Sequence, residues 1–350
     1  MTALTRSGHP DGDDTQLRPV PWRRMAGVTW RQHRYPLAGV AVLLGGLAVW
    51  LWIIGRPLHR AWTAAAACHP AAASACQALI GSFNAAATSN VMSDKGPGGV
   101  LLQVLPALIG AFAGAPVLAR EMEAGTFRYA WTQGFGRWRW ALAKLVLLAV
   151  ALAALTAAFG VLVSWYFQPY GGPQDLYRNS SFGDLFSLRE VTFPAWTLAA
   201  FTIGVLAGML IRRVVPAIAA TLTASAGLAV ATAGLLREHY LTPLVTSNPA
   251  PPSTLWIISQ WWTRDGRFVF GSPPFSLINQ FCSAPPPGRS KNPPFGTFAQ
   301  CLAPHGYTQW TSYQPPSRFW PFQWIEGGWL LALSVLLIAA AIWLVRRRAA

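Results

Sequence analysis

The chain has 350 residues, of which 53% are hydrophobic and only 11% are charged. A soluble domain carries about twice that share of charged residues, so the composition excludes an ordinary soluble globular protein. The formal net charge is +15, but most of the excess flanks apolar segments, and neither an RNP motif nor zinc-finger spacing is present. We therefore assign the basic residues to lipid headgroups and membrane orientation, and we exclude nucleic acid as a partner.

The first 35 residues are polar and basic. Residues 1–20 are predicted to be a disordered cytoplasmic tail. Pro21 suits the first position of a helix, and residues 21–35 are predicted to form an amphipathic interfacial helix on an anionic leaflet. Its two faces are Trp22, Met25, Ala26, Thr29 and Trp30 on one side, and Arg23, Arg24, Arg31 and Arg34 on the other. The alternative is a basic flank that precedes the first span.

Apolar runs of about 20 residues then alternate with polar segments, which is typical of transmembrane helices. The predicted spans are residues 36–55, 100–119, 141–167, 195–211, 214–236 and 327–345. Only Arg212 and Arg213 separate the fourth span from the fifth, which predicts a tight helical hairpin. The sequence therefore predicts an all-α polytopic membrane protein with six transmembrane helices, an N-terminal interfacial helix and large extracellular loops.

The distribution of Lys and Arg predicts the orientation of these spans. With the N-terminus inside, more than half of the 27 basic residues fall on short inside segments, including the basic tail 346–350. The positive-inside rule then places both termini in the cytoplasm and the protein in the cell membrane as a multi-pass chain. The external loops are residues 56–99, 168–193 and 237–325.

All four cysteines fall in these external loops, where disulfides persist. Four cysteines allow three connectivities. The local pairs are Cys68 with Cys76 and Cys282 with Cys301, and we predict these two disulfides.

The hinge, residues 120–144, is a short charged connection between the second and third spans. Glu121 and Glu123 are predicted to start a helical piece, where carboxylates suit the positive end of the helix dipole. Gly134 and Gly136 interrupt the chain after it. A basic and aromatic run that can anchor a helix at the membrane interface follows: Arg137, Trp138, Arg139 and Trp140. The composition fits either an ordinary membrane loop or a docking element for a soluble partner.

The predicted spans hold almost no ionisable side chains, and Lys144 near a membrane edge can snorkel. A carrier coupled to protons or ions places such groups within its spans. The sequence also lacks the G-x-x-x-x-G-K-[ST] loop that binds phosphates, so the chain cannot hydrolyse ATP by itself. Both features fit a transport subunit powered by a separate ATPase. No catalytic residue, metal ligand or cofactor is predicted.

The order of these features resembles the membrane subunit of a type 2 (exporter) ABC transporter. The chain contains, in this order, an apolar span, the pattern A-x-E-x-E-x-G-T-x-R, a basic and aromatic run, and a lysine. The matching residues are Glu121, Glu123, Gly125, Thr126, Arg128, Arg139 and Lys144. Residues 313–326, followed by a span and an Arg cluster, resemble actinobacterial members of that group.

The resemblance implies a dimer of permeases with two ABC ATPase subunits. The chain is then expected to move an amphipathic drug, lipid or antibiotic-like molecule out of the cell, as in multidrug efflux. The residues expected to couple it to the ATPase are Glu121, Glu123, Gly125, Thr126, Phe127, Arg128, Tyr129 and Trp131. The alternative is a membrane-embedded accessory or immunity protein without transport activity. A membrane enzyme using Asp265 or Glu326 lacks a paired acid–base arrangement.

Two further features concern packing and the long external loop. Trp256, Trp261 and Trp262 predict a short re-entrant or interfacial helix, either as a substrate exit lid or as part of a folded cap. Glycines spaced four residues apart can let two helices approach closely, with ordinary packing as the alternative: Gly110, Gly114, Gly204 and Gly208.

Overall fold

The computed structural model describes residues 22–69, 74–88, 97–123, 137–171, 182, 184–248, 255–282 and 297–347. Its helices are α1 (Trp22–Ala67), α2 (Ser74–Thr88), α3 (Pro97–Glu123), α4 (Arg137–Phe167), α5 (Thr192–Ile211), α6 (Val214–Ala231), α7 (Phe275–Phe281), α8 (Thr297–Leu302) and α9 (Phe319–Arg347). A π-helical turn, Thr232–Leu236, and a 3-10 turn, Arg237–His239, extend α6.

Six helical stretches within the described residues are long and apolar enough to cross a membrane. They are Ala26–Ala67, Gly98–Glu123, Trp138–Phe167, Thr192–Ile211, Val214–His239 and Pro316–Arg347. This confirms the prediction of six helices of membrane-spanning length. The short αL turn at Arg212, with φ of 61°, produces the predicted hairpin between α5 and α6.

The bundle has two distinguishable ends. At the hinge end, α3 ends, α4 begins, and α6 begins beside Glu123. Arg346 near the end of α9 lies over the ring of Trp138 at the same end. At the sheet end, α4 ends beside α1, α5 and α9 both begin, and α6 ends. The two ends therefore separate the hinge from the loops that contain the cysteines.

The first helix differs from its prediction, because α1 is one continuous helix of 46 residues that includes residues 22–35. Pro36 and Pro57 lie inside it. Buried residues recur at seven-residue spacing along one face of α1, and this face packs against α4: Leu37, Leu44, Leu51, Leu58 and Ala65. Packing along this coiled-coil-like seam offsets the backbone hydrogen bonds that the two prolines remove from α1. The predicted loop 56–99 consequently contains the end of α1, all of α2 and the start of α3.

The closest helix packing joins α3 and α5, where glycines replace side chains at the contact. A Cβ atom added at Gly204 would lie 2.9 Å from the backbone nitrogen of Ala115. One added at Gly110 or Gly114 would overlap Ala200 or Phe201 on α5. The two glycine pairs therefore face each other, and close approach rather than ordinary packing explains their spacing.

A four-stranded antiparallel sheet corrects the all-α prediction. Its strands are β1 (Leu244–Thr246), β2 (Trp256–Arg264), β3 (Arg267–Phe270) and β4 (Tyr307–Gln314), in the order β1-β4-β2-β3. The prediction of a helix at Trp256, Trp261 and Trp262 is wrong, because these residues lie in β2. Asp265 and Gly266 both have positive φ and form the two-residue turn between β2 and β3.

Candidate functional site

A buried ion pair joins α3 to α4 through the two ends of the hinge. Lys144 Nζ on α4 donates to Glu121 Oε1 on α3 at 2.6 Å and to the carbonyl oxygen of Val117 at 3.1 Å. The side chain of Lys144 is 2% exposed, and its Nζ lies 5.0 Å from the ring centroid of Trp140. Lys144 therefore does not extend freely from the bundle but pairs with Glu121 near the end of α3.

The second glutamate connects α3 to the hairpin of α5 and α6. Glu123 Oε2 accepts a hydrogen bond from the backbone N–H of Val214 at 3.4 Å. Val214 is the first residue of α6, whose N-cap residue Arg213 makes no side-chain cap. The carboxylate therefore lies where unsatisfied N–H groups and the positive end of the helix dipole favour an anion.

The position of the two glutamates also differs from the prediction. Glu121 and Glu123 lie in the last turn of α3 and do not start a new helix. Carboxylates are unfavourable at a helix C-terminus, and here Lys144 and the start of α6 offset that cost. The other residues expected to couple to an ATPase lie outside the described residues: Gly125, Thr126, Phe127, Arg128, Tyr129 and Trp131.

The residues predicted at the membrane interface are only partly described. Trp30 is 52% exposed, and Trp138 is 37% exposed and lies under Arg346. Arg31 is exposed, Arg139 and Trp140 are half-buried, and Arg34 Nη2 donates to the hydroxyl of Tyr35. The side chains of Trp22, Arg23, Arg24 and Arg137 lie outside the described residues.

At the sheet end, a second buried ion pair joins α6 to α9. Arg237 Nε and Nη2 donate to Glu326 Oε2 and Oε1, each at 2.9 Å, and Glu326 is fully buried. Trp196 Nε1 on α5 donates to the same carboxylate at 2.9 Å. Arg237 Nη2 also donates to Ser187 Oγ, and the guanidinium lies over the ring of Phe186. One carboxylate thus holds three membrane-spanning helices together.

Tyr240 extends this cluster towards the sheet. Its hydroxyl lies 3.5 Å from Glu326 Oε2 and accepts a hydrogen bond from Trp329 Nε1 at 2.9 Å. Burial, reinforced by the Glu326 carboxylate, raises the pKa of Tyr240 to about 12.

A buried amide continues the same connection between α5 and α9. Gln323 Oε1 accepts from both the backbone N–H and the hydroxyl of Thr192 at 3.1 Å, and its Nε2 donates to the carbonyl of Phe186. Because each polar atom of Gln323 has a partner, the first turns of α5 and α9 have a fixed register.

This cluster is not predicted from the sequence, because the fifth predicted span ends one residue before Arg237 and the sixth begins one residue after Glu326. A usable signal was present. Arg237 and Glu326 are opposite charges that each adjoin a long apolar run, and charges at such positions are stable when they pair with each other.

Both predicted cysteine pairs are joined in the structure, with Cα–Cα distances of 5.5 Å for Cys68 and Cys76 and 5.6 Å for Cys282 and Cys301. The first disulfide links the end of α1 to α2. The second links α7 to α8, which pack on β2 through Trp262. The disulfides therefore stabilise the small elements of the sheet end.

Comparison with protein families supplies the identity that geometry alone does not. The model described as "ABC-2 membrane transporter related" matches residues 41–237, which is more than half of the chain. No curated protein and no solved structure matches the chain significantly. The match begins within α1 and ends at Arg237, so it includes the hinge and five of the six spanning helices. The chain therefore belongs to the ABC-2 membrane transporter related family, as a multi-pass permease subunit that partners an ABC ATPase.

Proposed function

We propose that the chain is the permease subunit of an ATP-driven exporter, and that the hinge is its docking element for the ATPase. The observation that carries this proposal is the construction of the hinge end. Lys144 bonds Glu121 across the two helices that flank the hinge, and Glu123 bonds the start of α6. A movement of the hinge would therefore be transmitted through these polar contacts to three spanning helices, α3, α4 and α6.

Glu121 and Glu123 keep their proposed role in coupling the permease to the ATPase. Glu121 also binds Lys144, whereas Glu123 is exposed and makes a longer hydrogen bond to Val214. For the contact with the ATPase itself we propose the aromatic side chains Phe127, Tyr129 and Trp131, since buried aromatics dominate such interfaces.

The docking test truncates these three aromatics together to alanine. We expect normal expression and membrane insertion, with loss of co-purification with the ATPase and of substrate-stimulated ATP hydrolysis. Trp320→Ala is the matched control, because Trp320 is 50% exposed at the opposite, sheet end. If the triple variant co-purifies with the ATPase as well as the control does, the hinge is not the docking element.

The orientation proposed for this exporter has both termini in the cytoplasm and the sheet end outside. It is supported by the basic residues of the hinge, of Arg212–Arg213 and of the C-terminal tail, because six spans put these three connections on the same side of the membrane. The test introduces one cysteine at a time into a cysteine-free chain, at Ser7, Gly134, Asn179 or Lys291. Intact cells that express each variant are then treated with a thiol reagent that cannot cross the membrane. We expect labelling at 179 and 291 only, and labelling at 134 would contradict the orientation.

The substrate that we propose is an amphipathic drug, lipid or antibiotic-like molecule moved outward by a dimer of permeases. Few ionisable side chains lie in the described spanning helices, and their buried charges are paired, so the path offers apolar rather than charged surface. Cells that express permease and ATPase should lose a preloaded amphipathic dye faster than cells whose ATPase cannot hydrolyse ATP. Equal rates of dye loss would contradict export.

A further inference from the structure

An apolar groove runs between the first part of α1 and the first half of α4. Two adjoining cavities of about 680 and 640 Å³ form it, and both are bordered by Trp30 and Ala151. On α4 the groove extends from Leu142 to Leu155, which is about 20 Å at 1.5 Å per residue. Alanines form much of its wall, so the space results from small side chains on both helices: Ala26, Ala38, Ala41, Ala143 and Ala154.

One charged residue borders this groove. Arg34 lies four residues after Trp30, on the same face of α1, although the sequence analysis placed these two residues on opposite faces. Its Nη2 donates to the hydroxyl of Tyr35 at 2.8 Å, and its guanidinium lies 4.7 Å from that ring centroid. A guanidinium has five N–H donors, so most of them remain available to an anion.

Neither α1 nor α4 contains an aspartate or a glutamate. Arg34 belongs to neither of the two buried ion pairs, Lys144 with Glu121 and Arg237 with Glu326, and its guanidinium bonds the Tyr35 hydroxyl rather than a carboxylate of the described residues. The groove therefore offers a positive charge beside a long apolar surface that opens to the side of a membrane-spanning bundle. Its occupant must be apolar along about 20 Å and anionic at one point.

We propose that this groove, which we call the α1–α4 groove, binds a phospholipid with an anionic headgroup, with the phosphate on Arg34 and an acyl chain along the alanines. A second copy of the chain fits less well. In the spanning helices that the structure describes, three of the four acidic side chains, Glu121, Glu123 and Glu326, are already hydrogen-bonded within the chain. The proposal requires neither the ATPase nor transport.

The test titrates the purified full-length chain in mild detergent with phosphatidylglycerol or phosphatidylcholine and counts bound lipids by native mass spectrometry. We expect one tightly bound phosphatidylglycerol, favoured over phosphatidylcholine by about fivefold. Both lipids offer a phosphate, but the quaternary ammonium of phosphatidylcholine offsets that charge, and one basic residue beside net anionic lipid contributes roughly that factor. Equal affinities for the two lipids would overturn the proposal.

Two pairs of variants assign the site. Ala154→Trp fills the groove, whereas Ala158→Trp places the same side chain one turn along α4 at an exposed position outside it. Arg34→Gln removes the charge at the groove, and Arg31→Gln removes a neighbouring exposed charge. We expect Ala154→Trp to abolish tight binding and Arg34→Gln to abolish the preference for phosphatidylglycerol, with both controls unchanged.

The remaining outcomes all count against the proposal. Equal losses in a variant and its control would mean that general lipid coverage or net charge, rather than the groove, holds the lipid. If Ala154→Trp instead converts a dimer into a monomer while lipid binding persists, the groove is an interface between two copies of the chain.

Discussion

Lys144 Nζ lies 2.6 Å from Glu121 Oε1, and this ion pair bridges the ends of α3 and α4 on either side of the hinge. The lysine is 2% exposed and the glutamate 23%. Removing one member of a buried pair leaves the other charge uncompensated, which costs about 3–5 kcal/mol. The pair is therefore a structural requirement of the hinge end as well as part of the coupling path that we propose.

The first prediction concerns this pair. Glu121→Gln should lower the midpoint of thermal denaturation in detergent. The expected loss in the free energy of unfolding is towards the lower end of about 3–5 kcal/mol, because Glu121 is partly exposed. Combining Glu121→Leu with Lys144→Met should recover most of that stability, since an apolar pair leaves no buried charge. Glu123→Gln is the control, and we expect it to change the midpoint little, because the hydrogen bond from Val214 to Glu123 is long and exposed. If Glu121→Gln denatures at the wild-type temperature, the pair does not stabilise the bundle.

The second prediction concerns the carboxylate that joins α5, α6 and α9. Glu326→Gln should destabilise the chain by about 3–5 kcal/mol, because Arg237 would remain buried without a counter-charge. Glu238→Gln removes a charge one residue from Arg237 on the partly exposed side, and we expect it to change stability little. Limited proteolysis should cut the sheet end of Glu326→Gln faster than that of Glu238→Gln. Identical cleavage rates would contradict this role of Glu326.

The third prediction concerns Tyr240, whose pKa is raised from 10.0 to about 12. A raised folded-state pKa means that the contribution of Tyr240 to stability is present below pH 10 and is lost as the pH rises through 12. Subtracting the ultraviolet titration of Tyr240→Phe from that of the wild type should reveal one tyrosine that ionises near pH 12. A difference curve centred near pH 10 would show that Tyr240 is not buried beside Glu326.

The fourth prediction concerns the contact between α3 and α5. Gly204→Ala should separate the two helices and destabilise the bundle, because the new Cβ would lie 2.9 Å from the backbone of Ala115. Gly227→Ala is the matched control, since no atom lies within 4 Å of its added Cβ on α6. We expect the control to denature at or above the wild-type temperature, because alanine favours helices over glycine. Equal effects of the two substitutions would contradict close packing at Gly204.

The fifth prediction concerns the disulfides. Non-reducing peptide mapping of freshly purified protein should find Cys68 joined to Cys76 and Cys282 joined to Cys301. Reduction should loosen α2, α7 and α8 while leaving the six spanning helices folded, because helix packing within the bundle does not depend on these bonds. The measurement is hydrogen exchange before and after reduction. Free thiols, or pairing of Cys68 with Cys282, would contradict the structure.

The four-stranded sheet shows what the sequence analysis overlooked and why. The turn Asp265–Gly266, between two runs rich in aromatic and β-branched residues, is a strong signal for a hairpin. The aromatic residues of β2 also suit the membrane interface, so the same segment matched an interfacial helix that the structure does not contain. The pairing of β2 with β4 lies beyond sequence reasoning, because about fifty residues separate Trp261 from its partner Trp310.

Local patterns were enough to predict six helices of membrane-spanning length, the hairpin at Arg212 and the pairing of neighbouring cysteines, because length, hydropathy and spacing are properties of the chain alone. The E-x-E-x-G-T pattern likewise pointed to the family that the comparison identifies. The partners of Lys144, Glu326 and Gly204 could be identified only from the folded bundle. Each partner lies on another helix, and the free energy that fixes it comes from burial and close approach, which no local pattern encodes.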